Sequence, residues 1–241
     1  MIYAVYGFVA GFLIPYMSRR FAKFMPATPA YALYRLVKPN KTARKVKFST
    51  RYKQLKRKYL SRSLVYGALS ALLSLLAFWR LGEEHLFWYL TFVWILLLLA
   101  EIDLKMLLLP DILTIPLLIG GFVFAAFFGV NVSAEESAAA AMAGYVLPVV
   151  ATLLMLWRSV DAFGGGDIKL MAAAGLFLGW QNTLLAMFFG IVFGGMYGIY
   201  LLAAKKAGKK DHFAFGPFLC AGIVIAMLFG GPVLEWYCAF L

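Results

Sequence analysis

The sequence predicts an all-α integral membrane protein, a polytopic helix bundle that crosses the bilayer about eight times with its N-terminus outside. Hydrophobic residues make up 63% of the 241 residues and charged residues only 14%, which excludes a soluble domain and a disordered chain. Apolar segments recur at the length that a spanning helix needs, about 20 residues. Lys and Arg are concentrated in the connections between alternate segments, as expected of a polytopic membrane protein.

Eight apolar segments are candidate spanning helices, and the sixth is short enough to be a half-helix or to lie inside the bundle. They cover residues 1–17, 63–79, 86–104, 112–130, 138–157, 168–180, 183–204 and 216–234. We expect a first transmembrane helix (1–17), a cytoplasmic polybasic segment (18–62) and a membrane core (63–241). Positive charges follow the first apolar segment instead of preceding it, so we interpret it as a retained helix and not as a signal peptide.

The basic residues predict which connections are cytoplasmic. Residues 18–62 hold 15 of the 23 Lys and Arg residues. With eight helices and the N-terminus outside, 22 of the 23 lie on the cytoplasmic side and only Arg80 lies outside, as the positive-inside rule requires. The same orientation puts four carboxylates from two distant segments at the cytoplasmic surface, as a shared site requires: Asp103, Asp111, Asp161 and Asp167.

The polybasic segment, residues 18–62, contains no acidic residue and is interspersed with Tyr and Phe. A nucleic-acid partner is one interpretation of such a pattern. We favour contact with anionic membrane lipids, with the aromatic side chains at the interface, and expect no nucleic acid.

Asp103 and Asp167 are the two aspartates for which a structural role is hardest to assign. Asp103 ends an apolar helix, and Asp167 follows Gly164–Gly166, which we expect to interrupt regular helix, to let another backbone come close and to act as a hinge. Capping of the fourth helix accounts for Asp111, and a solvated turn accounts for Asp161.

Two carboxyls close enough to share a proton can hydrolyse an amide. The ionised one takes a proton from water, while the protonated one polarises the carbonyl and then helps the amine to leave. Such a site needs no metal, cofactor or covalent intermediate. Other catalytic sites lack the residue patterns they need. The sequence has no HExxH motif of a zinc protease, and its two histidines, His85 and His212, fall on opposite sides of the predicted membrane. Cys220 and Cys238 lack the CxxC spacing of a zinc site.

Three motifs carry a family resemblance: IDLKMLLLPDILT at residues 102–114, GGGDIKL at 164–170 and FGPFL at 215–219. Over about residues 86–230 the chain resembles the type IV prepilin leader peptidases, the bacterial GxGD aspartyl proteases. The resemblance implies an aspartic endopeptidase of the bacterial inner membrane that removes a short basic leader from prepilins or pseudopilins at the cytoplasmic face. It implies that Asp103 and Asp167 are catalytic and that six further residues support them: Gly164, Gly166, Lys169, Asp111, Gly216 and Pro217.

The N-terminal part departs from the family pattern. Many members carry two CxxC pairs after the first helix, in a domain associated with N-methylation of the new N-terminus. Residues 18–62 occupy that position here and contain no cysteine. We therefore expect peptidase activity without methylation.

Two other functions use the same residues. A proton- or cation-coupled transporter would place the aspartates near the midplane between paired repeats, whereas this sequence places them at one surface and shows no repeat. A non-catalytic scaffold of a pilus or secretion apparatus would still function with Asp103→Asn and Asp167→Asn. The sequence leaves the oligomeric state open.

Overall fold

The computed structural model describes residues 2–24, 48–84, 86–128, 134–156, 164–204 and 213–239. Within these ranges the chain forms seven helices and no strand: α1 (Ile2–Phe24), α2 (Phe48–Leu81), α3 (Leu86–Met106), α4 (Asp111–Phe128), α5 (Ala134–Leu156), α6 (Gly165–Ala203) and α7 (Gly216–Cys238).

Five of the described helices contain stretches long and apolar enough to cross a membrane. These stretches are Leu60–Leu81, Leu86–Met106, Asp111–Phe128, Gly165–Ala203 and Gly216–Cys238. The predicted all-α polytopic membrane fold is confirmed. The count of eight crossings and the orientation stay predictions.

The chain divides into two compact units, of which the first is Met1–Leu75. Inside it, α1 runs antiparallel to α2, because Gly7 faces Ser74 and Gly11 faces Tyr66, and a Cβ on either glycine would collide with α2. Both α1 and α2 extend into the predicted polybasic segment, which is therefore helical at its two ends. Lys and Arg have good helix propensity, so polarity alone did not mark the helix ends.

The second unit, Leu76–Leu241, is built around α3. Three consecutive residues at the end of this helix, Glu101, Ile102 and Asp103, are all buried, so neighbours surround the helix there. Nearer its start, Phe92 stacks on Phe177 with 4.3 Å between ring centroids. Helix α3 is thus the central helix of this unit, and its last turn presents Asp103 to the helices around it.

Helix α6 consists of two arms joined at Gly179, which has φ 75° and ψ 170°. Glycine adopts this conformation without the steric cost that a Cβ imposes. The carbonyls on either side of the break are bonded by side chains of the second arm: Asn182 Nδ2 donates to Leu178 O over 3.2 Å and Thr183 Oγ1 to Gly179 O over 2.6 Å. Both carbonyls at the break therefore have donors, whereas Asn182 Oδ1 is buried with no hydrogen-bond partner among the described residues.

The two arms run in opposite directions. The first arm, residues 165–178, packs against α5, with the Cβ of a residue at 175 only 2.5 Å from Ala140 O. The second arm, residues 180–203, packs antiparallel to α7: Asn182 lies beside Gly230, and Gly194 lies beside Phe215. Gly179 thus corresponds to the boundary between the sixth and seventh apolar segments of the sequence.

Arg80 makes an unusual contact near the end of α2. Its Nε donates to the backbone carbonyl of Leu228 over 3.2 Å, and its guanidinium lies 5.1 Å from the centre of the Phe229 ring. Residue 232, which would normally donate to Leu228 in the helical pattern, is proline and has no N–H. The arginine therefore supplies the hydrogen bond that Pro232 removes.

Candidate active site

Four helix ends meet at one end of the second unit: the C-terminus of α3 and the N-termini of α4, α6 and α7. Contacts across the chain place them together, since Asp103 of α3 bonds Gly216 of α7 and Asp111 of α4 bonds Lys169 of α6. Both aspartate motifs and the FGPFL motif therefore contribute to one region.

Asp103 is held by the first residue of α7. It is 6% exposed, and its Oδ2 accepts the backbone N–H of Gly216 over 2.9 Å. The N–H groups of a first helical turn have no partner within the helix, and Pro217 has no N–H to satisfy. A Cβ at position 216 would lie 2.7 Å from Oδ2, which explains why glycine is needed there.

Asp167 lies in the first turn of its own helix. Helix α6 begins at Gly165, and Gly164 is its N-cap residue with extended backbone. The N–H of Gly164 donates to Asp167 Oδ2 over 3.2 Å, which is the carboxylate half of a capping box. The expectation that the three glycines interrupt regular helix is therefore wrong, because this carboxylate caps the first turn and so stabilises helix from Gly165.

The two carboxylates lie close enough for direct electrostatic interaction. Buried Cys220 lies one helical turn after Gly216, near both carboxylates. The hinge at Gly164–Gly166 stays a prediction.

Several features set these aspartates apart from structural carboxylates. In the described part of the chain neither one pairs with a cationic side chain, although burying a charge is costly without such a partner. Asp167 is 8% exposed, and its buried Oδ1 has no hydrogen-bond partner among the described residues. The positive ends of two helix dipoles, from α6 and α7, also point at the pair.

The supporting residues connect α4 to α6. A Cβ at Gly166 would lie 2.6 Å from the Cβ of Leu109, so this glycine permits close contact with the residues that precede α4. Lys169 Nζ lies 2.6 Å from Asp111 Oδ1, with both side chains well exposed. The expected capping role of Asp111 is wrong: the Pro110 carbonyl accepts the N–H groups of Leu113 and Thr114, and Asp111 is already the first helical residue.

Other acids have simpler surroundings or lie outside the described residues. Glu101 is buried and pairs with Lys105 on the next turn of α3, 2.5 Å away. Asp161, His85 and His212 fall outside the described ranges. Sequence reasoning did not single out Leu109 or place Cys220 at the site, because an apolar residue inside a motif and a lone cysteine carry no chemical signal of their own.

Comparison with known proteins agrees with the geometry. Residues 90–199 match the family model described as "Type IV leader peptidase family". The curated relatives include proteins named prepilin leader peptidase/N-methyltransferase from Aeromonas salmonicida and Legionella pneumophila. The first is 37% identical over 149 residues, 61% of this chain and 51% of the relative. The second is 34% identical over 179 residues, 70% of this chain and 59% of the relative.

The chain thus spans about half the length of the curated relatives it matches. No solved structure matches it. The matched region begins within α3, carries both buried aspartates and ends in the second arm of α6. Over residues 90–199 the chain is therefore similar to the type IV leader peptidase family.

Proposed function

We propose that this chain is a membrane aspartic endopeptidase that removes the leader peptide from type IV prepilins or pseudopilins. The observation that carries the proposal is the pair of buried carboxylates, Asp103 and Asp167, which come from different helices and interact without a cationic partner in the described part of the chain. Ionisable residues within membrane-spanning segments are rare and costly, and they mark functional sites by default.

In the proposed reaction the aspartates share one proton. The ionised carboxylate takes a proton from a water molecule, whose oxygen attacks the carbonyl carbon of the scissile peptide bond. The protonated carboxyl donates to the carbonyl oxygen, so that the tetrahedral intermediate forms without a free alkoxide. Collapse of the intermediate breaks the C–N bond: the hydroxyl formed from the carbonyl oxygen returns its proton to the carboxylate that donated it, and the proton taken from water passes to the leaving amine.

Two features of the site support this chemistry. Asp167 Oδ1, which has no hydrogen-bond partner among the described residues, is available to accept a hydrogen bond from the attacking water. The N-termini of α6 and α7 both point toward the pair, and fixed positive dipole ends stabilise negative charge that develops on the carbonyl oxygen. Because these dipoles are oriented before the substrate arrives, no reorganisation accompanies the reaction.

The test mixes a purified prepilin with the purified protein in detergent and measures cleavage as the loss of the leader's mass from the prepilin. We expect cleavage by the wild type and a loss of roughly a thousandfold or more in Asp103→Asn and in Asp167→Asn. Glu235→Gln, the same chemical change on an exposed carboxylate at the far end of α7, should cleave normally. Normal cleavage by either aspartate variant would remove that residue from the mechanism.

The proposal extends to place and partners. We place the protein in the bacterial inner membrane with Asp103 and Asp167 on the cytoplasmic side, and the polybasic residues 18–62 against anionic lipids. Those residues contain no cysteine, so we expect them to add no methyl group. Mass spectrometry of the cleaved product, made with a methyl donor present, tests this, and an added methyl group would contradict it.

A further inference from the structure

A short connection, residues 107–110, joins α3 to α4. It begins four residues after Asp103 and ends at Pro110, so it is the covalent continuation of the helix that carries the first aspartate. It also contacts the first turn of α6, which carries the second aspartate. The α3–α4 connection therefore joins the two halves of the candidate site.

The connection starts in a strained conformation. Leu107 has φ 53°, the left-handed region, and it is the single described residue other than glycine with a positive φ. Its N–H donates to the carbonyl of Asp103 over 2.8 Å, the position at a helix C-terminus that glycine usually occupies. The Leu107 side chain is 54% exposed, so its own burial does not explain the strain, and strain of this kind persists where neighbouring contacts impose it.

Two contacts with α6 can impose it. Leu109 is 7% exposed and lies directly against Gly166, one residue before Asp167. Asp111 pairs with Lys169, two residues after Asp167. One contact is buried and apolar, the other exposed and charged, and together they bracket the second aspartate.

We propose that the α3–α4 connection positions Asp103 relative to Asp167, with Leu109, Asp111 and Lys169 as positioning residues for the reaction. This inference rests on the proposed peptidase function. None of the three needs to touch the reacting atoms, since each acts through the backbone that carries an aspartate. An exposed ion pair contributes little to stability, so loss of the Lys169 charge should affect turnover far more than folding.

The activity test compares Lys169→Gln with the conservative Lys169→Arg. We expect the glutamine variant to lower kcat roughly tenfold or more, as misplacement of catalytic groups by a fraction of an ångström does, while KM and the melting temperature stay close to wild type. Arginine should restore kcat because it retains the pairing charge. Leu109→Ala should lower kcat in the same way, whereas Leu109→Met should retain it.

A structural readout makes the test independent of cleavage. Spin labels are attached at Leu104→Cys and Gly165→Cys in full-length protein that also carries Cys238→Ser; Leu104 is 58% exposed and a Cβ at Gly165 meets no atom within 4 Å. Buried Cys220 is retained. Dipolar EPR should give one narrow distance distribution in the otherwise unchanged protein and in Lys169→Arg, and a broader one in Lys169→Gln and Leu109→Ala.

Each outcome is decisive. Broadening together with a lower kcat supports the positioning role. An unchanged distance distribution overturns it whatever the activity, and so does broadening with an unchanged kcat. If the expected broadening occurs in a wild-type background that cleaves no prepilin, the connection still positions the aspartates, and the proposed peptidase function is the part that fails.

Discussion

The backbone N–H of Gly216 donates to Asp103 Oδ2 over 2.9 Å, although the two residues are 113 positions apart in the chain. The N-terminus of α7 is therefore capped by a side chain of α3 and not by a side chain of its own. A Cβ at position 216 would lie 2.7 Å from the same oxygen, so the contact requires glycine.

Gly216→Ala should therefore displace Asp103 and slow prepilin cleavage by roughly tenfold or more. Gly231→Ala is the matched control, because Gly231 lies in the same helix and a Cβ there meets no atom within 4 Å. The control should keep full activity. Cleavage rates and thermal unfolding in detergent compare the two variants, and equal activity in both would show that this contact does not hold Asp103.

Two neighbouring glycines of the GGGD motif should respond in opposite ways. Gly166→Ala places a Cβ 2.6 Å from Leu109, and overpacking of this kind costs about 1–3 kcal/mol. Gly165→Ala meets no atom within 4 Å and should be tolerated. Thermal unfolding and cleavage assays on the two variants test this; destabilisation by Gly165→Ala would mean that the motif requires glycine for backbone freedom and not for contact with Leu109.

Arg80 and Pro232 should be energetically coupled. Arg80→Leu leaves the Leu228 carbonyl without its donor, and an unsatisfied buried acceptor costs about 1–3 kcal/mol. Pro232→Ala restores the helical N–H that can bond this carbonyl, so the arginine substitution should cost less in that background. A double-mutant cycle on unfolding free energies in detergent measures the coupling, and strictly additive effects would disprove it.

The two cysteines and one engineered site test the orientation of the membrane protein. Cys238 is exposed at the C-terminal end of α7, opposite the aspartates, whereas Cys220 is buried. With the active site in the cytoplasm, a membrane-impermeant maleimide should label Cys238 in cells whose outer membrane has been opened. Gly165→Cys, in a Cys238→Ser background, should react only after the inner membrane is also permeabilised. The reverse pattern would invert the proposed topology.

Much of the fold follows from sequence because its signals are strong. Apolar segments of spanning length predicted the helical membrane architecture, and the break at Gly179 lies close to the predicted boundary between the sixth (168–180) and seventh (183–204) segments. The positive-inside rule led to the expectation that Asp103 and Asp167 share one end of the bundle, and the structure brings them together there. Their catalytic role stays a prediction that the aspartate variants test.

Other features have no local signal. Leu107 adopts a conformation that its residue type disfavours, in a connection that contacts α6 through Leu109 and Asp111. The partner of Asp103 lies on a distant helix, at Gly216. Each of these is decided by tertiary contacts, which composition and spacing do not encode.

The reversal at Gly179 also sets how far Asp167 stands from the opposite face of the membrane. The first arm of α6, residues 165–178, has 14 residues and rises about 21 Å, whereas the hydrocarbon core of a bilayer is about 30 Å thick. If Gly179 is anchored near one headgroup layer, Asp167 lies below the other, within the acyl region. In that case the length of the lipid chains controls how much water reaches the aspartates. Thinner bilayers should favour access of water, and thicker bilayers should restrict it.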